Sequence, residues 1–413
     1  MTRDRFGIVR IYIPGDWRDV WLYKENMLLW SREGFLHVLP IRRIVKYLEK
    51  EFGVTTAAIL EHLLFRNDWK VSEQFKRMLQ IPSLRKVFVQ CIREYSKNIL
   101  TVPASMGEIS PTERTPGVLL DAEVYANRVY LATTEGLFES YFSPKDSLAP
   151  EPLFARLEHR VSRVAARYGT VNVAAEDKGL WSAQLIFGDD RLPEGENEPF
   201  ERIADQSLSV SFSSRNLFNY TEEPIPDFLR ANAVRERLHA NANWEEWRVL
   251  GYERPADISR LTRSALRWTP RSIVLSGAPA SVAEMNESVI ALGNWEYRLL
   301  LAWQGALNTV NLSAYDEHDI EAKRGSFHGV EIGSIDPQVD ILSTYPIAGG
   351  FLAELLDCVL LITQHGAQTF FAGPAARIRT FLKSRRYQDV AAVIEEHGMS
   401  LVGSFDLGDA PLY

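Results

Sequence analysis

The sequence predicts a mainly β protein built from repeated hairpins, with helical segments inserted between them. Three observations carry this prediction. A strand–turn–strand phrase recurs along the chain, a stretch near the N-terminus has helical spacing instead, and an apolar strand stands near each chain end. Repetition of one hairpin unit is the signature of a radial or stacked β architecture. Such folds usually bind other molecules rather than transform them.

The recurring phrase is an apolar strand, a polar step with Gly or Asn, and a second strand. Three clear copies occur at Met27–Leu39, Val129–Ser140 and Val171–Ala183, and weaker copies at Leu208–Tyr220, Arg298–Val310 and Val359–Phe371. Gly accepts the positive φ that a tight hairpin turn requires. Large side chains after the turn, such as Phe138 and Trp181, supply area for packing one sheet on another. A lone hairpin is marginal, so we expect neighbouring copies to bury each other's faces.

The spacing of the copies suggests the repeat unit. Gly136 and Gly179 stand 43 residues apart, and the next copy centres near Asn216, 37 residues further on. This period matches a four-stranded propeller blade. The pattern therefore resembles the β-propeller superfamily in the broad sense, which implies a β-propeller-like ring of six or seven blades with α-helical insertions. Another all-β array, such as a β-sandwich, with a helical subdomain is the alternative.

The resemblance transfers no functional residue. The Trp-Asp dipeptide of the best-known propeller repeats is missing after these strands, and so is the Asp-box of sialidase-type propellers. No site residue can therefore be placed by analogy with a family.

Residues 1–38 are expected to form the first propeller strands. Ile8, Val9, Ile11 and Ile13 are β-branched, and Pro14-Gly15-Asp16 is typical of a turn.

Residues 39–100 are expected to form a basic helical insertion. Apolar residues recur there at helical spacing, as in Ile41, Ile44 and Leu48. Thr55 and Ser72 are candidate N-caps for the short helices that this spacing predicts.

Residues 101–413 are expected to hold the remaining blades. Helical segments are predicted near 225–268 and 374–398, and a strand at Ser272–Ser276. A last strand at Leu401–Leu407 is expected to pair with the N-terminal strands and close the ring.

The composition excludes several classes of protein. The chain of 413 residues is 46% hydrophobic and 24% charged, as in soluble globular proteins, and its net charge of −8 disfavours bulk attraction to nucleic acid or anionic membranes. Two cysteines, Cys91 and Cys358, exclude a disulfide framework and favour the cytoplasm. The longest apolar stretch is too short to cross a bilayer, so no membrane partner is predicted.

Motifs that would indicate catalysis or a cofactor are missing. The chain has no phosphate-binding glycine loop, no nucleophile elbow, and no zinc spacing of the Cys-x-x-Cys or His-Glu-x-x-His kind. No catalytic residue, no metal site and no cofactor is predicted, and the chain is expected not to be an enzyme.

The charge distribution is more informative than any motif. Leu39–Asn98 carries twelve Lys or Arg against six Asp or Glu, a net of +6, so the remainder carries −14. A second basic run spans Arg377–Arg386. The predicted binding residues are the basic side chains of these two runs: Arg42, Arg43, Lys46, Lys50, Arg85, Lys86, Arg377, Arg379, Lys383, Arg385 and Arg386.

These observations predict a non-enzymatic protein–protein interaction scaffold, an adaptor subunit of a cytoplasmic assembly. The partner is expected to be another protein bound through the helical insertion. Two alternatives stay open. The chain could be a hydrolase or lyase with a motif-less site at the propeller mouth, or a nucleic-acid-binding accessory protein that uses its basic helices.

Overall fold

The computed structural model describes most of the N-terminal third of the chain and the strands of the rest. The described residues are 6–106, 108–109, 114–141, 152–185, 199–213, 216–222, 227–236, 246–253, 273–274, 290–295, 298–303, 306–311, 327–334, 341–348, 350–363, 366–382 and 384–406. The chain divides into two compact units. One comprises Met1–Pro111 with Val339–Tyr413, and the other Thr112–Gln338.

The N-terminal part of the first unit consists of strands around a helical segment. The strands before the helices are β1 (Phe6–Pro14), β2 (Trp17–Tyr23), β3 (Asn26–Ser31) and β4 (Leu36–Pro40). The helices are α1 (Ile41–Phe52), α2 (Val54–Leu60), α3 (Asp68–Val71), α4 (Glu73–Leu79) and α5 (Pro82–Tyr95), with a π-helical turn at Glu61–Phe65. Two strands follow, β5 (Ile99–Thr101) and β6 (Glu108–Ile109). We call Ile41–Tyr95 the helical segment.

The second unit contains four sheets among its described residues. The first two are β7 (Leu119–Tyr125), β8 (Arg128–Thr133), β9 (Leu137–Tyr141) and β10 (Phe154–Leu157), then β11 (Arg163–Arg167), β12 (Thr170–Ala174), β13 (Leu180–Gln184) and β14 (Glu201–Ala204). The third is β15 (Ser209–Ser213), β16 (Asn216–Tyr220), β17 (Asp227–Glu236) and β18 (Glu246–Glu253). The fourth has five strands: β19 (Ile273–Val274), β20 (Ile290–Trp295), β21 (Arg298–Trp303), β22 (Ala306–Asn311) and β23 (Phe327–Ser334).

The C-terminal strands complete the first unit. They are β24 (Ser343–Ile347), β25 (Gly350–Glu354), β26 (Cys358–Thr363), β27 (Gly366–Ala372), β28 (Arg377–Thr380), β29 (Val390–Ile394) and β30 (Gly398–Asp406). Three sheets result, β2-β3-β4-β6, β24-β25-β26-β27 and β28-β29-β30-β1-β5. We call the last one the terminal sheet because it contains the first and the last strand.

Each of the six phrases found in the sequence lies on two neighbouring antiparallel strands. The pairs are β3–β4, β8–β9, β12–β13, β15–β16, β21–β22 and β26–β27, one in each of six different sheets. The described residues thus form seven sheets of four or five strands. The mainly β fold class is confirmed, while the blade count and a closed ring stay predictions.

A second kind of turn repeats beside these phrases. The first hairpin of three sheets has two residues of positive φ at its tip: Lys24 and Glu25, Ala126 and Asn127, and Tyr168 and Gly169. Positive φ at both central residues matches the right-handed twist of the flanking strands. Because these tips include Lys, Glu, Ala and Tyr, the sequence did not indicate them.

The terminal sheet joins the two ends of the chain, as predicted. Strand β1 pairs antiparallel with β30 from Phe6 opposite Asp406 to Pro14 opposite Gly398. Strand β5 then pairs in parallel with the other edge of β1. A sheet that contains both ends ties the termini together without a covalent bond.

Two helix predictions in the C-terminal half are wrong where the structure describes the residues. Within 225–268, strands β17 and β18 occupy 227–236 and 246–253, while 225–226, 237–245 and 254–268 lie outside the described residues, so a helix at Ile258–Leu266 stays a prediction. Within 374–398, strands β28 and β29 flank a series of turns. All five residues of β29 are buried, so pairing with neighbouring strands outweighs the helix propensity of its alanines.

The structure has helices where the sequence predicts them between residues 39 and 98. Ser72 caps α4, since its hydroxyl accepts a hydrogen bond of 3.2 Å from the backbone N–H of Phe75. Thr55, the other predicted N-cap, lies inside α2, which begins at Val54 after Gly53.

Buried aspartates connect neighbouring sheets within each unit. Asp19 and Asp121 each follow a β-bulge in the first strand of their sheet, and both are almost fully buried. Asp121 accepts hydrogen bonds from the backbone N–H of Val164 at 2.9 Å and from Arg163 at 3.2 Å, both on β11. Asp19, the corresponding aspartate of the first unit, pairs with Arg377 and Arg379 of the terminal sheet.

Candidate protein-binding surface on the helical segment

The helical segment shares one hydrophobic core with the sheets of its unit. Ile44, Leu64 and Ile92 are fully or nearly fully buried in the same cluster as Val9 and Leu401. Gly403 makes room for this contact, because a Cβ atom there would come within 2.5 Å of Leu64 Cδ2. The helices are therefore part of the folded unit rather than an appended arm.

Buried polar contacts add to this attachment. Asn67 has a left-handed backbone (φ 54°), and its amide donates a hydrogen bond of 2.8 Å to the carbonyl of Arg385. The ammonium of Lys70 pairs with the carboxylate of Asp389, which is 2% exposed. Burial raises the pKa of the Asp389 carboxyl, and the charge of Lys70 partly opposes this rise.

The first predicted basic group forms a stripe on α1. Arg42, Lys46 and Lys50 are four residues apart and exposed, so they share one face of the helix. Arg43 points elsewhere and donates a hydrogen bond of 2.9 Å to the carbonyl of Met106. Three of the four predicted residues of α1 are thus available to a partner.

The next predicted pair lies at the beginning of α5. Arg85 and Lys86 are both exposed, and no ion pair is formed by either within the described part of the chain. They lie beside apolar side chains that are also exposed. Met78, Ile81, Leu84 and Val87 expose 42%, 48%, 41% and 49% of their surfaces.

The local fold explains why these apolar side chains face outward. Helix α4 ends at Leu79, and Pro82 begins α5 after a two-residue turn. Phe75 and Phe88 face the core and meet edge to face, with ring centroids 5.8 Å apart. Met78 lies three residues after Phe75 and Leu84 four residues before Phe88, so each continues the phenylalanine side of its helix to the end next to the turn, where it is exposed.

We call Arg77, Met78, Ile81, Leu84, Arg85, Lys86 and Val87 the α4–α5 surface. The sequence contains no Asp or Glu between Glu73 and Glu94, and Glu73 is paired with Lys76 at 2.7 Å. The surface is therefore apolar at its centre and positive at its edge.

The second predicted basic run is placed differently. Arg377 and Arg379 on β28 both bind Asp19, at 2.7 Å from Arg377 Nη1 and 2.8 Å from Arg379 Nε. Arg379 is 8% exposed and Asp19 fully buried, so this cluster joins two sheets. Its geometry serves stability rather than recognition of a partner.

The rest of that run lies on the loop before β29. Arg386 is half exposed and pairs with Glu25 at 2.6 Å, and this hydrogen bond raises the pKa of the guanidinium. Arg385 is exposed, and its backbone carbonyl receives the bond from Asn67. Lys383 lies outside the described residues.

The sequence prediction missed the apolar half of the α4–α5 surface. Met78, Leu84 and Val87 fit the helical spacing of this segment, whose apolar faces were expected to be buried against one another, the ring or a partner helix. In the structure these three side chains are exposed, while Phe75 and Phe88 are buried. The sequence does contain a pattern that could have indicated this surface. Large apolar residues recur every third position across the Ile81-Pro82 break, at Met78, Ile81, Leu84 and Val87.

Comparisons with solved structures find propeller domains. One similar structure is the WD40 domain of Neurospora crassa Pan2, with 8% identity and a TM-score of 0.47 over 98% of this chain and 97% of that one. Another is the β-propeller domain of Cps50 (Swd1) from Myceliophteria thermophila, with 8% identity and a TM-score of 0.36 over 68% and 80%. A third is the computationally designed Ika8 protein, with 8% identity and a TM-score of 0.43 over 95% and 99%.

WD40 and β-propeller domains are thus among the structures to which this chain is similar. At these identities and scores nothing about function follows. No protein-family model matches the chain. No curated protein matches it either.

Metal-binding clusters and membrane-spanning helices are both absent from the described residues. No group of three or more His, Cys, Asp or Glu side chains there could hold a metal ion. No helix there is both long and apolar enough to cross a membrane.

Proposed function

We propose that this chain is a non-enzymatic scaffold or adaptor subunit of a cytoplasmic assembly, and that it binds a partner protein through the helical segment. The observation that carries the proposal is the α4–α5 surface. Four large apolar side chains are exposed within ten consecutive residues of a segment that also contributes buried side chains to the core. Exposed apolar groups of this kind mark interaction sites.

The attachment of the segment supports the same conclusion. The contacts of Leu64, Asn67 and Lys70 hold the helices against the sheets before any partner binds. A surface that is already ordered loses little conformational freedom on binding, which favours affinity.

Surface substitutions test this proposal better than a deletion. Removal of the helical segment would uncover buried residues such as Val9 and Leu401, and misfolding would imitate a loss of binding. The double variant L84S/V87S changes two half-exposed side chains instead. We expect the set of proteins that co-purify with the tagged chain, identified by mass spectrometry, to lose its main members in this variant.

A matched control is K46E/K50E, which alters the exposed stripe on α1. Co-purification that is unchanged in L84S/V87S but lost in K46E/K50E would move the contact to α1. Co-purification unchanged in both variants would refute a role for the helical segment.

Nucleic-acid binding is a second candidate, favoured by the exposed stripe of Arg42, Lys46 and Lys50. Basic side chains on one helix face can follow a phosphate backbone, and such binding weakens steeply with salt. Retention on heparin that is lost in K46E/K50E would support this function. Failure to bind at low salt would exclude it.

A further inference from the structure

We propose that the α4–α5 surface binds an acidic amphipathic helix of the partner. This inference rests on the proposed function and specifies the chemistry of the partner at that site. It joins two observations about the surface, the apolar side chains at its centre and the positive charge at its edge.

The apolar centre fits a helix. Met78, Ile81, Leu84 and Val87 are each 41% to 49% exposed, so their neighbours support them from one side. Helical ligands present apolar side chains at positions i, i+3 or i+4 and i+7 to surfaces of this kind. The edge contact between Phe75 and Phe88 fixes α4 against α5, the two helices whose adjoining ends carry these side chains.

The positive charge of the α4–α5 surface determines which polar side chains the partner helix needs. From Gln74 to Arg93 the sequence has five Lys or Arg and no Asp or Glu. Carboxylates that flank the apolar positions of the ligand would lie near Arg77, Arg85 and Lys86. Such pairs add specificity and raise the association rate more than they add affinity.

Other occupants fit these observations less well. A second copy of this chain would bring the same positive edge against itself. Bound nucleic acid would place polar phosphates and bases against the aliphatic centre of the surface. Aromatic side chains could stack on the bases, but Phe75 and Phe88 are buried.

The test uses two synthetic fluorescent peptides about 18 residues long, enough to form a helix. Both carry Leu at i, i+3, i+4 and i+7 and Ala at most other positions, because like charges along a helix destabilise it. One has four Glu flanking the Leu residues and the other has Lys at the same four positions. We expect the Glu peptide to bind the full chain and the Lys peptide to bind at least about tenfold more weakly, as measured by fluorescence anisotropy.

Two double variants locate the binding. We expect L84S/V87S and R85E/K86E each to weaken the Glu peptide by about tenfold or more, a loss of about 1.4 kcal/mol or more. K46E/K50E makes the same charge change on α1 and should leave the affinity within about twofold. Circular dichroism and the urea midpoint of each variant verify that it is folded.

Several results would overturn the inference. Equal binding of both peptides, or binding unaffected by R85E/K86E, would remove the role of charge. Binding of a single-stranded oligonucleotide or of phosphatidylserine vesicles that R85E/K86E abolishes would assign the surface to those ligands instead. A dimer that L84S/V87S dissociates would assign it to a second copy.

The two proposals can fail separately. If the Glu peptide does not bind while L84S/V87S still removes the co-purifying proteins, the partner is not an acidic helix and the scaffold function stands. If the peptide binds and the co-purifying proteins do not change, the surface recognises acidic helices but does not assemble this complex.

Discussion

The side-chain amide of Asn67 donates a hydrogen bond of 2.8 Å to the backbone carbonyl of Arg385, 318 residues further along the chain. Asn67 is fully buried and lies directly before α3, while Arg385 belongs to the loop before β29. One hydrogen bond therefore attaches the helical segment to the terminal sheet, and its energetic role can be measured.

Replacement of Asn67 should separate the hydrogen bond from the backbone conformation. N67G should cost about 0.5–1.5 kcal/mol because the carbonyl of Arg385 loses the hydrogen bond from the Asn67 amide. N67A should cost about 1–2 kcal/mol more, since Ala is strained at a left-handed φ that Gly adopts freely. Urea unfolding measures both variants, and N98A on an exposed side chain is the control. Equal losses of unfolding free energy in N67G and N67A would contradict the expected strain of Ala at the left-handed φ of residue 67.

The buried carboxyl of Asp389 should make stability depend on pH. Because its pKa in the folded state is raised above the ordinary 3.8, the folded protein binds more protons than the unfolded chain between those two values. Stability from this group is then highest in acid and decreases as pH rises through the folded pKa.

The variant D389N isolates this contribution. The free energy of unfolding of the wild type minus that of D389N should be larger at about pH 4.5 than at about pH 7, since other carboxyls cancel in the difference. A difference that does not change, or that increases with pH, would contradict the raised pKa.

Two ion pairs of the first unit should contribute very differently to the free energy of unfolding. One is the buried Asp19–Arg379 pair and the other is the exposed Glu25–Arg386 pair. D19N should destabilise by about 3–5 kcal/mol, because Arg379 would remain buried without a counter-charge. E25Q makes the same acid-to-amide change beside Arg386, which is half exposed, and should cost less than about 1 kcal/mol. Urea midpoints of the two variants compare them directly. Similar losses would mean that the buried cluster is not a special stabilising contact.

Gly179 should not tolerate a side chain. Its φ is +96°, and a Cβ atom would lie 2.1 Å from the carbonyl oxygen of Ala204. G179A should therefore destabilise by more than about 1 kcal/mol. Gly251, in the same unit, has no atom within 4 Å of such a Cβ, so G251A is the matched control and should be neutral or slightly stabilising.

The two cysteines should react at different rates. Cys91 is buried, and burial raises the pKa of its thiol to about 11, so little thiolate is present near neutral pH. Desolvation and Asp357 also raise the pKa of the Cys358 thiol, but Cys358 is partly exposed and therefore more accessible to a reagent. N-ethylmaleimide should label Cys358 first in the folded protein and both equally in urea, as measured by peptide mass spectrometry. Faster labelling of Cys91 would show that α5 opens.

Individual elements show which parts of the fold local sequence patterns could predict. The phrase around Gly34, Gly136 and Gly179 predicted real hairpins, because alternation and a turn residue lie within a dozen residues. The same phrase exists at Val390–Ser400, where Gly398 follows Glu395-Glu396-His397. Its alanines and glutamates indicated a helix, and only pairing with β28 and β30 makes Val390–Ile394 a strand.

The sequence by itself determined the hairpin repeat, the helical segment and the positive charge of that segment. These features depend on turn conformation, periodicity and composition, which neighbouring residues supply. The tertiary structure decided which basic residues can meet a partner. Arg379 is buried against Asp19 and Arg85 is exposed beside Leu84, and no local pattern separates them. Burial depends on partners hundreds of residues away, so it exists only once the sheets and helices have packed.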